Sequence, residues 1–207
     1  PRRSTCSTRW RPDTSTWRVD PIRGGASRAF ADIGSHWADL AEFISGERFA
    51  ATSASTSISY PTRPAFSGAS FSGDTTGRDR VPVATEDIAV ATFRTDRDVV
   101  ANVVISQVSS GRKNRLWLEV DGSRGSAVFD QEQPDSVWLG SESGATILRR
   151  AEGRQSADQA RLNRTPAGHP QGWPDAFAAF CADVYATVRG EAPDGLPTVV
   201  DGLRAVR

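Results

Sequence analysis

Between Glu86 and Arg150 the chain reads as strand after strand, and no connecting segment is long enough to hold a helix. "EDIAVATFRT", "VVANVVISQVSS", "RLWLEVDG", "GSAVFD", "SVWLG" and "TILRR" alternate apolar with polar residues or are rich in β-branched ones. "TDRD" and "DGSRG" between them read as hairpin turns. Parallel neighbours would need crossovers of a dozen residues or more, so closely spaced strands imply an antiparallel meander. "RFAATSASTSISY" (48–60) is a further strand candidate upstream of this run.

Helical periodicity flanks the strands on both sides. From Ser27 to Ser45, Phe30, Ile33, Trp37, Leu40 and Ile44 recur at steps of three and four, and Gly46 supplies a stop. "PDAFAAFCADVYATVRG" is the second helix. Pro174 stands in its first turn, Phe177, Phe180, Cys181, Val184, Tyr185 and Val188 form its apolar face, and Gly190 follows its end. "PTVVDGLRAVR" begins a last helix. The expected fold is therefore α+β: an open, mainly antiparallel sheet of about six strands with helices packed on one face. The other face is left over. In "RLWLEVDG" alternation gives Leu116, Leu118 and Val120 to one side and Trp117 and Glu119 to the other. A tryptophan there is either a partner surface or the seat of a loop.

Composition narrows the possible roles. Twenty-five basic and 25 acidic side chains balance in 207 residues, which favours neither a nucleic-acid nor a membrane partner. No apolar run approaches the ~20 residues of a membrane span. Cys6 and Cys181 form no disulfide framework, so a reducing, cytoplasmic setting is expected. The chain has no methionine and begins at Pro1, so it is expected to be part of a longer protein. Residues 1–16, rich in Arg, Ser and Thr, read as an irregular lead-in from an absent N-terminal domain, and 17–207 as one α+β domain truncated at its C-terminal helix. "PTRPAFSGASFSGDTTGRDR" (61–80) and residues 151–172 read as polar loops.

Asp32 and His36 stand four apart on the first helix, about 40° apart around its axis and at the margin of its apolar stripe. A carboxylate beside an imidazole fixes its tautomer and raises its basicity, which suits a general base for an alcohol proton. A purely structural pair has the same spacing, and both readings stand on spacing alone. Two such groups plus a distant His169 make no metal-ligand set. Cys181 reads as a core residue, Lys113, the single lysine, as a surface charge. "GSRGS" (122–126) joins two strands and so offers no phosphate a helix N-terminus.

Taken in order, "WRVDP…GGASRAFADIGSHWADLAEFISG", "TEDIAVATFRT…VVISQVSSGRKNRLWLEVDGSRGSAVFD" and "HPQGWPDAFAAFCADVYATVRG…PTVVDGLRAVR" resemble the C-terminal domain of the glucose–fructose oxidoreductase / inositol dehydrogenase / rhizopine-catabolism (Gfo/Idh/MocA) family. The resemblance runs from Trp17 to nearly the end of the chain. It implies an NAD(P)-dependent oxidoreductase acting on a sugar, polyol or related cyclic alcohol, with NAD or NADP bound mainly by an N-terminal Rossmann domain. That domain's glycine fingerprint and its E-K-P segment with the catalytic lysine are not in this chain, and Lys113 does not take the lysine's place. The chain alone is thus expected to be inactive.

Carried over residue by residue, the resemblance makes His36 the acid/base for the reacting hydroxyl, with Asp32 orienting it or bonding a neighbouring substrate hydroxyl. It places Trp17 and Arg18 near the cofactor, and Asp20 toward the substrate pocket. His169 is added as a residue of the pocket rim on its loop position. The resemblance also implies a homo-oligomer through the open sheet face. The alternative is a non-catalytic sugar-binding or oligomerisation module with a structural Asp/His pair.

Overall fold

A computed structural model describes residues 2–7, 11–14, 16–66, 79–150 and 160–206. They fall into two compact units, Pro1–Gly122 and Ser123–Arg207. Mainly antiparallel strands and a few helices make the fold α+β.

In the first unit β1 (Arg2–Ser7), β2 (Phe49–Ser57), β5 (Ile88–Thr95), β6 (Val100–Ser106) and β7 (Arg115–Gly122) form a sheet in the order β7-β1-β6-β5-β2. The β5–β6 hairpin turns at "TDRD" as expected, with Asp98 in the left-handed region at φ 64°. Strict alternation then sorts the side chains. Ala89, Ala91 and Phe93 of β5, Ala101, Val103 and Ile105 of β6, and Leu116 and Leu118 of β7 are all buried. Their intervening neighbours are half-buried or exposed, Trp117 half-buried among them, with the Arg115 guanidinium 5.9 Å over its ring.

Arg2–Ser7 corrects the expectation of an irregular lead-in. It is an interior strand, parallel to β6 and antiparallel to β7. β6 and β7 are therefore not meander neighbours, because β1 separates them. Cys6 is its one apolar residue, paired with Ile105 and Leu116 and buried with them. The polar loop expected at 61–80 also differs. Its ends pair as a short ribbon, β3 (Thr62–Pro64) with β4 (Arg80–Pro82), while 67–78 lie outside the described residues.

The helical layer of this unit begins with a 3₁₀ turn, Trp17–Val19, and the short helix α1 (Pro21–Gly24). A π-helical turn, Phe30–Gly34, then leads into α2 (Ser35–Ser45). Its start is capped from elsewhere in the chain: the Glu86 carboxylate accepts Ser27 Oγ–H and the backbone N–H groups of Arg28 and Phe30 at 2.9–3.0 Å. Below it, Asp87 receives the Arg28 guanidinium at 2.5 Å and that of Arg63 at 2.9 Å, with all three side chains sealed from solvent. Ile33, Trp37 and Ala41 are buried in this layer, and Trp37, Phe49, Phe93 and Phe30 form a chain of ring contacts with centroids 4.5–6.2 Å apart. Ile44, expected in the stripe, is exposed.

In the second unit β8 (Gly125–Asp130), β9 (Ser136–Ser141) and β10 (Gly144–Arg149) form an antiparallel meander. Apart from the β3–β4 ribbon, the strands thus number eight, five in the first unit and three in the second, rather than six. α3 (Trp173–Val188) starts where expected, with Pro174 in its first turn and the Asp175 carboxylate accepting the Gly172 N–H at 3.0 Å. α4 (Val199–Val206) follows. The face of α3 expected to pack is mostly outward. Phe177, Phe180, Val184, Tyr185 and Val188 are exposed, whereas the small Ala179 and Ala186 are buried. Arg150 ties down part of the expected 151–172 loop, donating to Asp135, Asn163, Thr165 and the His169 carbonyl.

Candidate functional site

Asp32 lies in the π-helical turn, and its carboxylate is claimed from two sides. Arg18 Nε donates to Oδ1 at 2.9 Å, and Gln107 Nε2 donates to Oδ2 at 2.9 Å. Arg18 comes from the 3₁₀ turn, Gln107 from the residue that follows β6. A carboxylate holding one cationic and one neutral donor is oriented about both its oxygens yet keeps lone pairs for a further hydroxyl.

Local sequence explains how each group is held. Thr16 is buried and caps the 3₁₀ turn by accepting the Arg18 N–H. The next turn, "DPIRGG", folds α1 against that backbone. Gly24 is required there: a Cβ on it would lie 2.9 Å from Arg18 Cα and from its carbonyl oxygen. The Arg18 guanidinium stacks 4.5 Å over the Trp17 ring. Among the described residues its terminal nitrogens make no hydrogen bond, and the side chain is about a quarter exposed. Under Asp32, burial first and the neighbouring carboxylate second push the Cys6 thiol up to about 11.

His36, the second residue of α2, is exposed and lies one turn after Asp32. Among the described residues no hydrogen bond joins its ring to the Asp32 carboxylate, which is held by Arg18 and Gln107. Asp20 serves as the N-cap of α1, accepting the Ile22 N–H at 2.9 Å, and lies 3.5 Å from Arg23. His169 belongs to the second unit. It is exposed and held through its backbone, its carbonyl accepting from Arg150 at 2.5 Å. The first unit therefore brings Trp17, Arg18, Asp32 and His36 into one neighbourhood, while Asp20 is occupied in local structure.

Gln107 and Glu86 escaped the sequence reading. A single glutamine after an apolar strand, and a glutamate before one, carry no periodic signal of their own. The only available clue was polarity in "VVISQVSS" and "TEDIAV" at the ends of strands otherwise fully apolar on one face. Among the described residues no three His, Cys, Asp or Glu side chains gather to hold a metal ion, and no helix is long and apolar enough to cross a membrane.

Comparison with known proteins gives a consistent set of relatives. Residues 3–128, well over half the chain, match the model of the family described as GFO/IDH/MocA C-terminal domain. The chain is 32% identical over 141 residues to levoglucosan dehydrogenase of Pseudarthrobacter phenanthrenivorans, covering 65% of this chain and 36% of that protein. An oxidoreductase domain protein from Kribbella flavida matches all of this chain over 54% of its own, with a TM-score of 0.82 and 28% identity. A levoglucosan dehydrogenase solved with NADH and L-sorbose matches 94% of this chain over 51% of its own, with a TM-score of 0.80 and 23% identity. The chain thus spans about half the length of the solved relatives and about a third of the curated one.

Proposed function

The chain belongs to the GFO/IDH/MocA family through its C-terminal domain, and from that premise we propose that it is the substrate-side domain of an NAD(P)-dependent oxidoreductase acting on a sugar, polyol or related cyclic alcohol. The observation that carries the reading is the oriented Asp32 carboxylate, held by Arg18 and Gln107, with an exposed imidazole one turn further along the same helical segment. Relatives named as levoglucosan dehydrogenase, one of them solved with NADH and a sugar, support the substrate class and the cofactor.

Each residue then has a task set by its surroundings. His36, open to solvent, takes the proton from the reacting hydroxyl or returns it in the reverse direction. Asp32, held between its two donors, accepts a substrate hydroxyl on its remaining lone pairs. Arg18, braced on Trp17, offers its two terminal nitrogens to carboxamide or phosphate oxygens, so the donor set fits a nicotinamide cofactor. When bound, that cofactor supplies the hydride acceptor or donor.

In the intact protein, His36→Ala should lower turnover about 10²- to 10⁴-fold, with KM for the sugar little changed. Unchanged turnover would return His36 to a structural role and favour the binding-module reading. The 207-residue chain by itself should show no micromolar affinity for NADH in calorimetry, because it has no strand–glycine–helix phosphate cradle.

A further inference from the structure

We propose that Gln107 is a positioning residue that acts through Asp32 to set the Arg18 guanidinium. Its purpose rests on the functional reading above, whereas the geometry is independent of it. Gln107 is sealed from solvent, and its backbone N–H donates to the Asp87 carbonyl at 2.9 Å, which fixes its main chain to the start of β5. Its Nε2 reaches Asp32 Oδ2, while its Oε1 is buried with no hydrogen-bond partner. An orphaned, desolvated carbonyl is a cost that a leucine or methionine of similar length would not carry. What the apolar residues cannot do is donate to the carboxylate.

The Asp32 carboxylate is planar and rigid, so drawing one oxygen toward Gln107 decides where the other points. That other oxygen holds Arg18 Nε at 2.9 Å. A residue at the end of β6 therefore governs, two bonds removed, a side chain on the turn before α1. The groups facing this relay are few. Arg18 and Asp32 carry the charges, the exposed His36 stands one turn further on in wild type and variants alike, Cys6 contributes a thiol from β1, and Asp87 is met through its backbone carbonyl while its own carboxylate is held by Arg28 and Arg63.

Gln107→Glu tests the relay because its donor can be switched by pH. The introduced carboxyl, beside Asp32, should hold its proton well above the usual carboxylate range. Protonated, it donates to Asp32 as the amide does; ionised, it repels. In the 207-residue chain the side-chain Nε–H resonance of Arg18, followed by ¹⁵N NMR between about pH 5 and pH 9, should be constant in the wild type. In Gln107→Glu it should match the wild type at the acid end and change toward rapid exchange as pH rises. In Gln107→Leu it should be lost throughout. A folded Gln107→Leu chain with a wild-type Arg18 signal, or a Gln107→Glu signal that ignores pH, overturns the proposal. Should the leucine variant fail to fold, the glutamate variant still compares one protein with itself.

In the intact enzyme Gln107→Glu should raise KM for the nicotinamide cofactor about tenfold over the same pH interval, with kcat nearly constant. His36→Ala should instead lower kcat, so the two readings fail separately. A pH-switched Arg18 resonance with an unmoved cofactor KM would overturn the positioning role.

Discussion

Cys6 and Asp87 show opposite outcomes of burial. For Cys6 nothing compensates the loss of solvent, and the thiol rises from 9.0 to about 11. Two consequences can be measured. At about pH 8 a thiol reagent should modify the partly exposed Cys181 and leave Cys6 untouched in the folded chain, as mass spectrometry would show. The native state keeps this proton where the unfolded chain has lost it, so stability is complete below pH 9 and falls as pH rises toward about 11. The loss should approach about 2–3 kcal/mol, and Cys6→Ala should flatten that limb of the denaturation profile. Asp87 is desolvated as well, but the Tyr60 N–H, Arg28 and Arg63 outweigh burial and hold its carboxyl below the usual range. Its contribution is present above the ordinary carboxylate pKa and disappears as pH falls through the lower native value. The same burial draws Arg63 below the usual guanidinium range despite its bond to Asp87, as expected where two guanidinium groups share one carboxylate. Asp87→Asn, which strands two buried cations, should cost about 3–5 kcal/mol in urea denaturation.

Among the elements, the π-helical turn sets the register of the site and depends on a glycine. A Cβ on Gly34 would fall 2.8 Å from the Phe30 ring, which is itself engaged with Phe93. Gly34→Ala should therefore destabilise the chain by about 1–3 kcal/mol and disturb Asp32, detectable together as a lower melting temperature and a shifted Arg18 resonance. Much of this layer was legible beforehand. "ADIGSHWADLAEFISG" announces a helix with Ile33 and Trp37 inward, and the strands of 86–149 follow from alternation. β1 was not legible, because "RRSTCS" offers one apolar residue in six and its partners lie about a hundred positions away. The Asp32 partners were hidden for the same reason. Spacing along a helix suggested His36, whereas the bonds observed go to residues 14 and 75 positions away.

At the level of the whole chain, large apolar side chains remain uncovered on several elements, Ile22, Phe43, Ile44 and Ile147 among them. α3 and α4 expose Trp173, Phe177, Tyr185, Val188, Val199 and Val200, and the first sheet leaves Val90 exposed on its outer face. If that outer face joins two copies, as expected from the sequence, sedimentation should show a dimer that Val90→Arg dissociates. A monomer at high concentration would count against it.

The interior place of β1 also dictates an order of events during synthesis. Until Gly122 has left the ribosome, the segment Arg2–Ser7 can meet only one of the two strands it must lie between. Its insertion closes a loop of about a hundred residues, a slow step by comparison with the β5–β6 hairpin. A nascent chain halted earlier would carry a slot beside β6 that any extended peptide could fill.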